Sequence, residues 1–222
     1  MTNSERPQGT LVKDRFEAAL YLLARIVAIP AASALWGFRL YGWHRMPEAG
    51  AVVLASNHQS FLDPFFLGGS APRCMRFLAR DTLFRRPVGW LIRGLGAIPV
   101  VRDSADLAAM REAVGALKAG EPLLLFPEGT RTRDGRIASF RPGISMLARR
   151  GAAVVVPCVI RGAFEAWPRH QPLPTPFRPV RVHYGPAVVP AEGESPRELA
   201  ERVERAVREL WVATERPGGS SG

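Results

Sequence analysis

His58 and Asp63 lie five positions apart in Ser56-Asn57-His58-Gln59-Ser60-Phe61-Leu62-Asp63-Pro64, and as a pair they could do acid-base work. A carboxylate held on one imidazole nitrogen fixes the tautomer and leaves the other nitrogen to accept a proton from an attacking hydroxyl. Against this stands the bland reading, a satisfied polar histidine beside a helix-capping Asp-Pro. A second stretch, Leu123-Leu124-Leu125-Phe126-Pro127-Glu128-Gly129-Thr130-Arg131, tips the balance, because it too runs an apolar segment into reactive residue types. Arg131, with Arg102 at the end of Ile98-Pro99-Val100-Val101, could clamp a phosphate from two sides through guanidinium forks. Gly129 allows close backbone approach, and its N–H or a neighbour's could bind phosphate or a developing oxyanion. Glu128 could orient Arg131 or bond an acceptor hydroxyl. Asn57 could hold backbone geometry or donate to a carbonyl, with equal weight on each. Arg133 and Arg141 read as surface charges first and phosphate contacts second.

Strands must deliver these groups. Ala51-Val52-Val53-Leu54-Ala55 has the length and β-branching of a buried strand, and Asp63-Pro64 reads as N-cap and first helical residue, so His58 sits in a strand-to-helix turn. Open α/β sheets place sites at such carboxyl ends. Further strands are expected at Cys74–Ala79, Ile98–Val101, Ala152–Ile160 and Val180–Tyr184, with Pro99 favouring a sheet edge. Helices are expected over residues 81 to 94, over Leu107–Leu117 with Ser104 as cap and Gly120 as stop, from Pro142 to Arg150, and from the Ser195-Pro196-Arg197-Glu198 capping box through Leu210. The prolines between residues 167 and 179 predict a loop at the rim of the site. The alternation implies an α/β fold, a mostly parallel sheet covered by helices.

The motifs resemble those of the glycerophospholipid acyltransferases. Asn57-His58 with Asp63 is similar to the family's H-x-x-x-x-D block, and Phe126-Pro127-Glu128-Gly129-Thr130-Arg131 to its phosphate-binding block. Gly96-Ala97-Ile98-Pro99-Val100-Val101-Arg102 and Val155-Val156-Pro157-Cys158 resemble the other two blocks, and all four come in the family's order across roughly residues 35 to 190. The resemblance implies a membrane-associated enzyme that moves a fatty acyl group from acyl-CoA or acyl carrier protein to the free sn-2 hydroxyl of lysophosphatidate. In it His58 and Asp63 are catalytic, and Asn57, Arg102, Glu128, Gly129, Thr130 and Arg131 bind substrate. No metal or redox cofactor is expected, since the thiol leaves readily. The rival schemes are an acyl-enzyme on Ser60, which lacks a G-x-S-x-G elbow, a non-catalytic module that binds lipid phosphate, and transfer to another acceptor such as glycerol 3-phosphate or another lysolipid.

Composition narrows the partners. Thirty Lys+Arg against twenty Asp+Glu give +10, nearly all of it arginine, with Lys13 and Lys118 the two lysines. No nucleic-acid signature accompanies the charge, so an anionic membrane is the expected surface. Residues 16 to 40 are mostly apolar, but Arg25 and Arg39 bracket an uncharged piece too short to span a bilayer. Two amphipathic helices meeting near Pro30, lying in the interface, fit better, with Arg15, Arg25 and Arg39 toward lipid phosphates. The division is thus 1–43 interfacial helices, 44–215 acyltransferase domain, 216–222 disordered tail, with the enzyme on the cytoplasmic face of the cell membrane as a peripheral or monotopic protein. Residues 1 to 10 lack the order of a secretory signal. Cys74 and Cys158 both read as small buried hydrophobes in a reducing compartment.

Overall fold

The computed structural model describes residues 22, 23, 25–27, 29–85, 89–101 and 106–215. Seven strands form one sheet: β1 (Arg39–Tyr41), β2 (Val52–Ser56), β3 (Arg76–Arg80), β4 (Ala97–Val100), β5 (Leu123–Leu125), β6 (Val154–Arg161) and β7 (Arg181–Tyr184), in the order β1-β7-β6-β2-β5-β3-β4. Every pairing is parallel except β6 with β7. The central strands are apolar along their whole length because helices cover both faces. All five residues of β2 are buried.

Alternation along β2 divides the core in two. Val52 and Leu54 face one layer, with Val156, Cys158, Ile160, and Phe66 and Leu67 of helix α1 (Asp63–Ser70). Val53 and Ala55 face the other, with Ala113 and Leu117 of α3 (Leu107–Lys118), Ile144 and Leu147 of α4 (Gly143–Arg150), and Leu199, Val203 and Val207 of α6 (Pro196–Ala213). Two short helices, α2 (Gly89–Gly94) and α5 (Ala163–Ala166), also border the sheet's loops. The capping box forms as expected: Ser195 Oγ accepts from the Glu198 N–H, and the Glu198 carboxylate accepts from the Ser195 N–H. Pro99 does lie on an edge strand.

Several expectations are corrected. The stretch from 81 to 94 is not one helix: a 3-10 turn over Asp81–Phe84 gives way to extended backbone at Arg85 before α2, and Pro87 disfavours helix in the residue before it. Asp106 caps α3 by accepting from the Ala109 N–H; Ser104 lies outside the described residues. Cys158 is fully buried, and burial pushes its thiol far above the ordinary range, but Cys74 is exposed. The described residues between 22 and 36 are helical, Pro30 among them, while Arg39 opens β1, so the sheet begins inside the stretch assigned to interfacial helices. Residues 1–21, including Arg15, and the tail 216–222 lie outside the described residues. Among the described residues, no helix is long and apolar enough to cross a membrane.

Candidate active site

β2 ends at Ser56, and the next six residues turn the chain into α1. The turn is built on Asp63. This residue is the first of α1 rather than its cap; Leu62 holds the cap position, and no side chain caps the helix. Asp63 is instead fully buried with its carboxylate folded back over the turn, where Oδ2 accepts from the Gln59 N–H at 2.6 Å, the Ser60 N–H at 2.8 Å and His58 Nδ1 at 2.7 Å. Two backbone donors and an imidazole outcompete the helix's own amides for the charge. His58 keeps Nε2 without a protein partner among the described residues and is the more open of the two, its side chain 18% exposed against 0% for Asp63. The ring of Phe126 lies over the imidazole, with centroids 3.9 Å apart and planes 16° from parallel.

The other strand end, at the close of β5, grips this turn. Glu128 Oε1 accepts from the His58 N–H at 2.8 Å, and the Thr132 N–H donates to the His58 carbonyl at 2.8 Å, so the His58 peptide is held from both sides. Glu128 Oε2 accepts from the Ala138 N–H at 2.9 Å. The residue is only 4% exposed, and burial raises its carboxyl above the usual range against the pull of those two N–H bonds. It reads as a brace between the two turns. Each oxygen already accepts one backbone N–H, so Glu128 has a bracing role whether or not an acceptor hydroxyl also reaches it.

Two more assignments shift in the same way. Asn57 is buried, its Nδ2 donating to the Ile160 carbonyl at 3.0 Å and its Oδ1 accepting from the Ile160 N–H at 2.8 Å. Of its two readings, the one that holds backbone geometry fits. Gly129 adopts φ 72°, its N–H goes to the Phe126 carbonyl at 2.9 Å, and a Cβ there would stand 2.8 Å from Arg141 Nε. Its lack of a side chain makes room for that guanidinium, and its N–H is not free for phosphate. Thr130 is half-buried alongside, and Arg133 and Arg141 are exposed.

Arg131 faces the site. Its guanidinium carbon sits 3.3 Å from the centroid of the Phe61 ring, and Nη1 is buried without a hydrogen-bond partner. Burial lowers its proton affinity, Arg169 and Arg80 add to that by repulsion, and Asp63 opposes it. The site therefore holds excess positive charge beside the His58–Asp63 pair. Arg102, the intended second jaw, lies outside the described residues.

Sequence reasoning missed Arg80, Arg169 and Trp167. Arg80 closes β3 as Arg131 follows β5, a signal that could have been read. Arg169 carries no local signal. Trp167 begins the proline-rich loop, touches Phe61 at 5.3 Å between centroids, and takes the Ser60 hydroxyl on its carbonyl at 2.9 Å. Ser60 thus donates away from His58, and nothing in the geometry favours the acyl-enzyme scheme. No cluster of metal-ligating side chains occurs among the described residues.

Residues 37–161 match the family model described as Acyltransferase, which covers more than half of the chain, and the chain belongs to that family. Within it the chain is of the PlsC type. A Pseudomonas aeruginosa relative named 1-acyl-sn-glycerol-3-phosphate acyltransferase is 34% identical over 179 residues, covering 79% of this chain and 67% of the relative. The chloroplastic enzyme LPAT1 of Arabidopsis thaliana, of the same name, is 29% identical over 67% of this chain but only 42% of its own. The crystal structure of the LPA acyltransferase PlsC from Thermotoga maritima superposes with a TM-score of 0.77 at 27% identity, over 97% of this chain and 86% of that one.

Proposed function

We propose that this acyltransferase moves a fatty acyl group from acyl-CoA or acyl carrier protein to the free sn-2 hydroxyl of lysophosphatidate, giving phosphatidate, with His58 as general base. The observation that carries this reading is the 2.7 Å contact between His58 Nδ1 and a fully buried Asp63, which leaves Nε2 without a protein partner among the described residues. The hydroxyl oxygen attacks the thioester carbonyl as its proton passes to Nε2. The tetrahedral intermediate then collapses, the C–S bond breaks, and the departing sulfur takes the proton from the imidazolium, leaving ester and free thiol. Asp63 stabilises the imidazolium while it lasts. As written, the balance needs only an alcohol and a thioester. Arg131 grips the acceptor's phosphate, which presents the hydroxyl to His58 and reduces the entropic part of the barrier. Lysophosphatidate is favoured as acceptor by the names of the relatives.

The enzyme works at an anionic membrane surface, on its cytoplasmic face. Leu22, Leu23, Ile26 and Val27 of the N-terminal helix are 56% to 61% exposed next to Arg25, a composition suited to the interface between headgroups and acyl chains. The deciding experiment is release of free thiol from acyl-CoA by purified protein on vesicles, with lysophosphatidate, glycerol 3-phosphate or no acceptor. Release that requires lysophosphatidate is the expected result. Release only with glycerol 3-phosphate would reassign the acceptor, and none with either would overturn the reading.

A further inference from the structure

Toward the β1 side of the sheet, strand register lines up three arginines. Arg161 of β6 stands opposite Arg181 of β7, and Arg181 opposite Arg39 of β1. Residues directly opposite share a face, and like charges so placed repel. One step along the same face, His183 of β7 pairs with Tyr41 of β1, their rings stacked at 4.6 Å between centroids. Here the surface opens into a cavity of about 480 Å³ lined by Tyr41, Arg161, Arg178, Arg181 and His183.

The charge in this cavity is incompletely balanced. Glu165 lines the same wall, and Glu215 lies close enough to Arg161 to favour its charged form. Among the described residues, Arg39, Arg178 and Arg181 form no ion pair. The Arg161 guanidinium is fixed in place by Thr214 Oγ1, by the Trp211 carbonyl and by the Trp211 ring beneath it. His183 Nε2 is buried without a hydrogen-bond partner. Burial, with Arg161 and Arg181 nearby, lowers the proton affinity of His183, as an uncompensated positive field should. Folding has thus assembled repelling cations around an orphaned ring nitrogen, an arrangement that an anion would relieve.

We propose that Arg39, Arg161, Arg178 and Arg181, with His183 and Tyr41, form a second anion site that binds clustered phosphate esters. Two sources offer that chemistry: the nucleotide end of a thioester donor, whose base could lie on Tyr41, or an anionic lipid headgroup. The donor source rests on the acyl-transfer reading; the site itself does not.

The test compares wild type with the Arg178→Gln/Arg181→Gln double variant by calorimetric titration of adenosine 3′,5′-bisphosphate, co-sedimentation with phosphatidylglycerol and phosphatidylcholine vesicles, and thermal melts. The variant is expected to lose at least fivefold in affinity for the bisphosphate, which assigns the donor, or at least fivefold in phosphatidylglycerol partitioning with phosphatidylcholine unaffected, which assigns the headgroup. Its anion-free Tm should equal or exceed that of wild type, because repulsion has been removed. Unchanged affinity for both probes would overturn the proposal, as would an anion-free Tm that falls, which would mark the arginines as structural. Neither titration needs turnover, so failure here and failure of the acyl-transfer reading are separable.

Discussion

The two motif-bearing strand ends look alike in sequence and divide the labour in the structure. After β2, the His58 imidazole is left open toward solvent while Asp63 is buried behind it. After β5, Glu128 is spent on backbone N–H groups and Gly129 on making room for Arg141; of that block's charged groups, Arg131 alone is turned to the site. In the proposed reaction one turn supplies the reagent, and the other is mostly frame with a single cation turned to the site. A residue's place in a signature therefore does not fix its role, and its hydrogen-bond partners show which groups the fold already engages.

Substitutions that separate reagent from frame test this contrast. The largest effect is expected for His58→Ala, a fall in kcat of about 10³-fold or more with an unchanged circular dichroism spectrum, since the general base itself is removed. Turnover within tenfold of wild type would erase the distinction. Asp63→Asn should cost somewhat less, on the order of 10² to 10³ in kcat, through the wrong tautomer and lost imidazolium stabilisation. For Arg131→Ala the expected change is a rise in KM for the phosphorylated acceptor of about tenfold or more, exceeding the change in kcat; equal KM values would move Arg131 into the frame.

Glu128→Gln sharpens the comparison from the other side. An amide cannot accept from two N–H groups at both ends, so one backbone donor is stranded, and denaturant unfolding should show a loss of about 1–3 kcal/mol. Any fall in kcat should come without a rise in acceptor KM, whereas a KM effect alone would restore the acceptor-binding role. Smallest is Ser60→Ala. It removes the bond to Trp167, costs about 1 kcal/mol of stability, and should leave turnover within about threefold in a thiol-release assay.

The fold was legible because it rests on periodicity. Apolar strand runs, the Asp63-Pro64 helix start and the Ser195 capping box are local signals, and each appears where it was read, within a residue or two at its bounds. β1 was not legible, since Arg-Leu-Tyr is too short to alternate and follows an apolar stretch that reads as helix. The His58–Asp63 pair could be read because its two members are close in sequence. The choice between Asn57's two readings and the bracing role of Glu128 could not, because their partners Ile160 and His58 are found only after the chain has closed on itself. Cys74 was misjudged because an apolar neighbourhood in sequence does not guarantee a covered position in space.

The two rims of the sheet are ill suited to recruiting another strand. β4 carries Pro99, which has no amide hydrogen to offer a newcomer, and β1 is three residues long and begins with a charged arginine. A concentrated solution of the folded protein should therefore resist edge-to-edge polymerisation, and copies that do associate would do so through exposed apolar side chains such as those of the N-terminal helix rather than through strand pairing.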